Sequence, residues 1–227
     1  ITIENSIDEV LSDLKNEDYN WIIDLHNNLR TKSLKTKLGK PSKTVVKLNW
    51  KKWVLVKFKI NKMPKTHIVD RYFSTVKHLN IKNDKGRCEF YIDQANEVDV
   101  EKELNLNSGF VSFAIGAQFA TKKLPAHKLI EIINLIEGPV VLVGDVSDQK
   151  TSKVVSEGFK GRVIDACGLF NLQQSASIVK QSKQLLTHDT GMMHIASAFD
   201  MPITTIWGST IPDLGMYPYR PNDSSSY

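Results

Sequence analysis

Apolar and polar positions in the first part of the chain predict a mixture of helices and short strands. "SIDEVLSDLKNE" begins with a capping box, since Ser6 and Glu9 can satisfy each other's backbone amides, and a helix to about Asn16 should follow. "YNWIIDLHNN" is a short apolar run that ends in polar residues, as in a buried parallel strand followed by a loop. "TVVKLN" is a second strand candidate, "NWKKWVLVKFKI" is ambiguous between helix and strand, and "KTHIVDRYFSTVKHL" has helical spacing.

The second half of the chain has a more regular pattern, in which apolar runs alternate with amphipathic segments over short links. This alternation predicts a doubly wound parallel sheet with right-handed crossovers. The predicted strands are "GFVSFAIGA", "PVVLVGD", "RVIDACG", "QLLTHD" and "PITTIWG". The predicted helices are "PAHKLIEIINLIE", "DQKTSKVVSEG", "NLQQSASIVKQS" and "TGMMHIASAF", with Pro125 in the first turn of one and Gly158 ending another.

A change of pattern between these halves suggests a domain boundary. The segment from about 85 to 108 loses both the periodicity and the basic character of the residues before it. We therefore expect an N-terminal domain over 1–95, a linker over 96–107 and a C-terminal domain over 108–227. Residues 1–95 contain too few strand candidates for a complete sheet, so the N-terminal domain is expected to be partial.

Composition is that of a globular protein with a core, at 41% hydrophobic and 24% charged residues among 227. No apolar run reaches the length of about 18 residues that a transmembrane helix needs, and the first 20 residues do not resemble a signal peptide. The two cysteines, Cys88 and Cys167, lack metal or disulfide spacing, which fits a reducing compartment. We expect a cytoplasmic protein.

Positive charge is concentrated in one stretch of the chain. Residues 30–85 contain 17 Lys and Arg against two acids, although the whole chain has a net charge of only +5. Such a segment attracts polyanions, whether nucleic acid, a phosphorylated glycolipid or an anionic membrane face, although a lysine-rich solvated surface explains it equally well.

Small residues follow the predicted strands of the second half, in "AIGAQ", "VGD", "ACG", "HDTG" and "WGST". Ligands of doubly wound sheets bind at these strand ends, where glycines allow close backbone approach and helix N-termini favour phosphate. The usual dinucleotide and P-loop fingerprints do not occur in the sequence.

"LLTHDTGMMHIASAF" contains the Asp-Thr-Gly triplet of aspartic proteases, but those enzymes pair two such triplets, and the predicted α/β context argues against that chemistry. Here Asp189 should end a strand, Gly191 should let the chain turn into a helix, and His194 should follow on that helix. The arrangement suits a sugar diphosphate, with amides and His194 at the phosphates and Asp189 at sugar hydroxyls. Alternatively, Asp189 caps the helix and His194 packs in the core.

The sequence resembles glycosyltransferase family 9, the bacterial ADP-heptose:lipopolysaccharide heptosyltransferases. The resemblance covers nearly the whole chain and is densest from 108 to 220. It is carried by "WIIDLHNNLRT", "FAIGAQFATKKLP", "VVLVGDVSDQ" and the long "VIDACGLFNLQQSASIVKQSKQLLTHDTGMMHIASAFDMPITTIWGST". It implies a GT-B fold with two Rossmann-like domains, the N-terminal one for acceptor and the C-terminal one for donor. It also implies inverting transfer of heptose from ADP-heptose to the lipopolysaccharide core, without a metal or other cofactor.

Residue roles on the donor side follow from the same resemblance. Lys122, three residues before Pro125, should neutralise the donor phosphate as ADP leaves. Asp148 stands where the family places an acid on the adenosine ribose. Alternatively, Asp148 only caps a helix. The remaining donor-binding candidates are Ala117 and Gln118, at a turn where the family often has hydroxyls, with Gly144, Asp189, Thr190, Gly191 and His194.

On the acceptor side the resemblance is weaker and suggests His26, Asn27 and Arg30, with Arg30 able to bind an acidic sugar or a phosphate. The basic stretch would then match an anionic glycolipid, and residues 30–85 could contact the inner face of the cytoplasmic membrane. The family's Gly-Asp loop with the proposed general base, and its final helix, find no match here. We therefore expect a member truncated at both ends, with weak donor binding and little transfer.

Two alternatives remain open. One is a different GT-B enzyme acting on a sugar nucleotide, such as an epimerase or a transferase of another sugar. The other is a basic nucleic-acid-binding module, although residues 30–85 contain no recognised RNA- or DNA-binding motif and nucleic acid is not the expected partner.

Overall fold

A computed structural model describes residues 6–107, 109–159 and 161–221. The chain forms two compact units. The first contains the chain up to Asp84 together with Asp213–Gly215, and the second contains Lys85–Pro212 and the residues from Met216 onward. No helix among the described residues is both long enough and apolar enough to cross a membrane.

In its described residues, the first unit contains a two-stranded parallel sheet and four helices. In chain order these are α1 (Leu11–Asn16), β1 (Ile22–Asp24), α2 (Leu29–Leu38), β2 (Ser42–Thr44), α3 (Asn49–Phe58) and α4 (Ile68–Val76). The predicted capping box before α1 is present, with Ser6 and Glu9 as its two members, and a short 3-10 turn leads into the helix. The segment "NWKKWVLVKFKI", which the pattern left ambiguous between helix and strand, forms the helix α3. This helix ends at Lys59, whose backbone is in the left-handed region.

One strand in this unit begins earlier than its sequence pattern suggests. The apolar run "TVVKLN" was the expected strand, but β2 pairs Ser42, Lys43 and Thr44 with β1. Val45 still donates its amide to the carbonyl of Asp24 at 2.9 Å and is buried, whereas Val46 is exposed. Backbone pairing with β1 thus selected residues whose side chains carry little strand signal.

The second unit is a five-stranded, fully parallel sheet in the order β5-β4-β3-β6-β7, which confirms the predicted α/β fold with a doubly wound sheet. Its buried strand residues, such as Phe113, Leu142 and Leu185, pack against helices in two apolar clusters. Its elements are α5 (Val100–Leu104), β3 (Val111–Ala114), α6 (Ala126–Asn134), β4 (Val140–Val143), α7 (Gln149–Glu157), β5 (Val163–Asp165), α8 (Leu172–Gln181), β6 (Gln184–His188), α9 (Gly191–Ala198) and β7 (Ile203–Ile206).

The segment 96–107, expected to be a linker, contains α5 and belongs to the second unit. Val98, Val100 and Leu106 are buried in one of the two apolar clusters of that unit. Their spacing along a short segment gave no helical or strand period, so their burial was not visible in the sequence. Ser108, where the C-terminal domain was expected to begin, lies outside the described residues.

The strand order places a topological switch point between β3 and β6. β3 is followed by α6 on the way to β4, whereas β6 lies on the other side of β3 and leads through α9 to β7. Loops after these two strands diverge to opposite sides of the sheet, which opens a crevice at their carboxyl ends. The sequence motifs "AIGAQ" and "HDTG" lie at this crevice.

Candidate functional site

A pocket of about 400 Å³ lies at the carboxyl ends of the second unit's strands. Gly116, Ala117 and Gln118 after β3 form one part of it, and Gly144 and Asp148 after β4 form another. Phe170, Leu172 and Met192 give it an apolar wall, and Ser175 and Thr190 add hydroxyls. An apolar wall beside a few convergent polar groups is the usual form of a small-molecule site.

Two glycines in this pocket are required by the position of one carboxylate. A Cβ on Gly116 would lie 2.3 Å from Oδ2 of Asp148, and one on Gly144 would lie 2.8 Å from the same oxygen. Asp148 is buried, with Lys123 Nζ 2.6 Å from Oδ1 and the amide of Asp145 donating to Oδ2 at 3.1 Å. Its side chain makes no cap to α7 and instead joins two strand-end loops.

A second ion pair, whose carboxylate is buried, lies beside the pocket. Lys122 Nζ lies 2.6 Å from Oδ2 of Asp189 and also donates to the Asp189 carbonyl at 3.2 Å. The Asp189 side chain is only 5% exposed and that of Lys122 is 22% exposed. Thr190, not Asp189, is the N-cap of α9, so the explanation of Asp189 as a helix cap is wrong. The fully parallel sheet also contradicts the interpretation of the Asp-Thr-Gly triplet as part of an aspartic protease.

The reason proposed for Gly191 is also wrong, because its backbone is not in the left-handed region and a Cβ there would meet nothing within 4 Å. The turn into α9 therefore does not require glycine. Gly191 is the first residue of α9, at the end of a helix where partial positive charge favours anions.

Two imidazoles near this helix have lowered pKa values, which favours their neutral form. Burial lowers the pKa of His194; the nearby Asp189 opposes this shift, and Lys122 adds to it. Burial also lowers the pKa of His188, which is fully buried at the end of β6. His188 Nε2 accepts the amide of Leu124 at 3.1 Å, and this bond ties β6 to the segment that carries Lys122 and Lys123.

Of the nine donor-side residues predicted from the sequence, the structure brings five to the pocket wall. Lys122 and Asp189 form the adjacent ion pair, and Gly191 and His194 lie on α9. The five residues at the pocket wall are Ala117, Gln118, Gly144, Asp148 and Thr190.

Sequence reasoning missed the apolar wall of Phe170 and Met192, and it gave no role to Lys123, which is the partner of Asp148. Phe170 follows the strand-end motif "ACG" by two residues, so the strand-end rule already pointed to its loop. Nothing in the spacing distinguished Lys123 from Lys122.

The acceptor-side candidates occupy the loop after β1 in the first unit. The buried carboxylate of Asp24 accepts the amides of His26 and Asn27 at 3.0 and 2.7 Å, and its other oxygen lies 2.7 Å from Lys35 Nζ. Asn27 has a left-handed backbone and donates its side chain to the Val45 carbonyl. Asn27 is thus part of the loop's own structure, whereas the side chains of His26 and Arg30 are exposed.

Two basic residues of the first unit, Arg71 and Lys52, have no carboxylate partner among the described residues. Arg71 is buried, donates to the Leu214 carbonyl at 3.2 Å and makes no ion pair within the described ranges. Burial lowers the pKa of Lys52, and the neighbouring charges of Arg71 and Lys47 lower it further. Like charges held together in this way favour an anionic ligand. The count of charges along the sequence had indicated that this segment attracts anions, but it did not single out Arg71 and Lys52.

The sequence profile described as "Glycosyltransferase family 9 (heptosyltransferase)" matches residues 8–226. Lipopolysaccharide heptosyltransferase 2 of Salmonella typhimurium is 28% identical over 111 residues, or 45% of this chain and 32% of that protein. The match thus spans about a third of the curated relative's length.

Two solved structures have the same fold. The ADP-heptose lipopolysaccharide heptosyltransferase II of E. coli superposes with a TM-score of 0.68 at 17% identity, over 93% of this chain and 69% of that one. An E. coli heptosyltransferase solved with ADP-2-deoxy-2-fluoro heptose gives a TM-score of 0.61 at 19% identity, over 92% and 69% of the two chains.

Proposed function

Since this chain belongs to glycosyltransferase family 9, we propose that it is a glycosyltransferase of the GT-B type. It transfers heptose or a related sugar from an ADP-sugar to a lipopolysaccharide core acceptor, with inversion. The observation that carries the proposal is the pocket at the switch point of the second unit, with the Lys122–Asp189 pair beside it. The names of two relatives, one an ADP-heptose enzyme and one solved with an ADP-sugar analogue, support this choice of donor.

The pocket offers a suitable environment for each part of the donor. Phe170 and Met192 provide an apolar surface for a flat base, and Asp148 provides a carboxylate for ribose hydroxyls at the loop after β4. The N-terminus of α9 and the ammonium of Lys122 provide positive charge for the diphosphate. Asp189 would then be available to accept hydroxyls of the transferred sugar.

Lys122 is the residue that we assign to the chemical step. When the bond between the sugar and ADP breaks, negative charge grows on the leaving phosphate, and a positioned ammonium stabilises that charge more than it stabilises the ground state. We propose that no metal or other cofactor takes part, with the ADP-sugar as co-substrate. Removal of the acceptor proton is assigned to no described residue.

For the acceptor we propose an anionic glycolipid, recognised by basic residues of the first unit. Arg30 is exposed after β1, and Lys52 and Arg71 lack carboxylate partners among the described residues. Phosphate and acidic-sugar groups are the anions that a guanidinium binds best. A protein with this acceptor would work on the cytoplasmic side, at the inner face of the cytoplasmic membrane.

Calorimetric titration of ADP and ADP-heptose tests the donor site. We expect Asp189→Ala to weaken ADP-heptose at least about tenfold, which is about 1.4 kcal/mol, but not to weaken ADP, because the carboxylate is assigned to the sugar and its removal frees Lys122 for the phosphate. Glu157→Ala, on the exposed end of α7, is the matched control and should bind both ligands like the parent.

A panel of nucleotide sugars separates the proposal from other GT-B chemistries. ADP-sugars should bind in preference to UDP- and GDP-sugars, and heptose in preference to hexose. Preference for UDP- or GDP-sugars would instead identify another sugar-nucleotide enzyme, and equal loss of ADP and ADP-heptose on Asp189→Ala would contradict the role given to Asp189.

A further inference from the structure

Helix α3 and the two residues after it present large apolar side chains to solvent. Trp50 is 72% exposed and Val56 is 71% exposed, and Trp53, Phe58 and Ile60 are each about half exposed. α3 contains no buried residue at all. An apolar patch of this kind on a folded protein marks a surface that another molecule covers.

The three aromatic rings of this patch pack against one another instead of against the core. The indoles of Trp50 and Trp53 stack at a centroid distance of 4.9 Å and an angle of 23°, and Trp53 meets Phe58 edge-on at 5.4 Å. The three rings therefore form a continuous aromatic surface on the outside of the helix. We call these rings, with Val56 and Ile60, the α3 patch.

The chain segment that carries the α3 patch is strongly basic. Residues 43–65 contain eight lysines and no Asp or Glu. Within the described part of the chain none of these eight lysines forms an ion pair. The pKa of Lys52 is lowered by burial and then by the neighbouring charges of Arg71 and Lys47, so positive charge is crowded near the helix.

We propose that the α3 patch docks the protein on an anionic lipid bilayer. Indole and phenyl rings favour the boundary between headgroups and acyl chains, and lysine side chains extend past an apolar surface to reach phosphate. Lysines near an anionic bilayer are attracted by its negative surface potential. The patch combines both contributions on one short helix and the residues after it.

Charge and side-chain type distinguish this partner from two others. A second copy of the chain would bring two lysine-rich surfaces together, which electrostatic repulsion opposes. Single-stranded nucleic acid would match the charge and could stack on the tryptophans. However, the exposed aliphatic chains of Val56 and Ile60 gain nothing from bases and do gain from burial among acyl chains.

The inference goes beyond the proposed sugar transfer, and its test uses no sugar, so either can fail without the other. The 227-residue chain is mixed with phosphatidylcholine vesicles with or without phosphatidylglycerol, and the bound fraction is measured by flotation. We expect binding to the anionic vesicles that weakens as salt is added. Trp50→Ser/Trp53→Ser should lower the partition coefficient at least about tenfold, or 1.4 kcal/mol, whereas Leu135→Ser, at an exposed leucine of the second unit, should not change it.

Insertion is measured separately by fluorescence. The chain has four tryptophans, and Trp21→Phe/Trp207→Phe leaves Trp50 and Trp53 as the only emitters. Their emission should shift to shorter wavelength on anionic vesicles and be quenched by brominated acyl chains. Circular dichroism confirms that each variant remains folded.

Four results would overturn the proposal: no partition into anionic vesicles, an unchanged partition of the double serine variant, tryptophan quenching by oligonucleotides with none by brominated lipid, or a concentration-dependent dimer that the serine substitutions abolish.

Discussion

At the residue scale, the donor pocket depends on the space that two glycines leave for Asp148. Gly116 and Gly144 both face the same carboxylate oxygen, which Lys123 and the amide of Asp145 hold in place. The side chain cannot move away without losing a buried ion pair. These glycines are therefore fixed by packing around a charge and not by backbone conformation, since neither has a positive φ.

Gly116→Ala tests this constraint. A methyl group 2.3 Å from Asp148 Oδ2 must displace the carboxylate, so we expect a loss of about 1–3 kcal/mol of unfolding free energy and weaker ADP binding. Gly191→Ala is the matched control, because its Cβ enters open space and its unfolding free energy should stay within about 0.5 kcal/mol of the parent. Urea unfolding measures both variants, and equal stability of the two would contradict the packing argument.

The sequence indicated which residues lie at or beside the pocket, but it did not indicate their contacts. Asp189, Lys122 and Asp148 could be proposed from a motif and a resemblance, but the motif assigned sugar or ribose hydroxyls to carboxylates that the structure pairs with lysines. Pairings between loops after different strands depend on sheet order, which spacing along the chain does not encode.

At the scale of elements, the turn between β1 and α2 is held by the buried carboxylate of Asp24. Burial alone would raise the pKa of Asp24, but the ion pair with Lys35 and the amides of Asn27 and His26 outweigh burial and lower it to about 2. In the unfolded chain the carboxyl of Asp24 has its ordinary pKa of 3.8. As the pH falls, the unfolded chain therefore binds a proton before the folded protein does. The stabilisation is therefore complete above about pH 4 and is lost as the pH falls toward 2.

Asp24→Asn should remove this dependence. We expect a loss of about 1–2 kcal/mol of unfolding free energy at pH 7, after allowing for solvent screening, and a flatter stability profile between pH 4 and 2. Asp18→Asn breaks the ion pair with Lys40 on a side chain that is 84% exposed and should change little. Denaturant unfolding at several pH values decides, and parallel profiles for parent and Asp24→Asn would contradict the role of this carboxylate.

Elements with a strong apolar period were predictable, whereas those without one were not. The five strands and four helices expected from residue 109 onward are all present, because each buries a regular face against the sheet. α3 stayed ambiguous because its apolar residues and lysines are distributed around the whole helix. β2 lies earlier in the chain than the apolar pattern predicted, because backbone pairing with β1 fixes its position.

At the scale of the molecule, the two units differ in charge. The first contains 17 Lys and Arg against ten Asp and Glu, whereas the second contains 13 against 15. Net charges of +7 and −2 mean that long-range attraction of an anionic acceptor comes from the first unit alone. The basic stretch noted in the sequence was thus a property of one folding unit.

This asymmetry predicts different salt responses for the two substrates. Binding of a phosphorylated lipopolysaccharide core fragment should weaken steeply as salt rises toward physiological strength, because the Debye length shrinks to about 8 Å. ADP should lose less affinity, since the partly apolar pocket shields its contacts. Titrations across a salt series measure both slopes, and equal slopes would contradict an acceptor site in the basic unit.

The pairing of Lys122 with Asp189 has a consequence for the rate at which a product leaves. Before a ligand arrives, the ammonium already has a counter-ion 2.6 Å away. A phosphate in contact with Lys122 would therefore exchange one anionic partner for another, and its affinity would be the difference between two ion pairs. Under the proposed function this exchange keeps ADP from being held too tightly after transfer, because Asp189 competes for the same ammonium and favours a return to the empty, charge-balanced site.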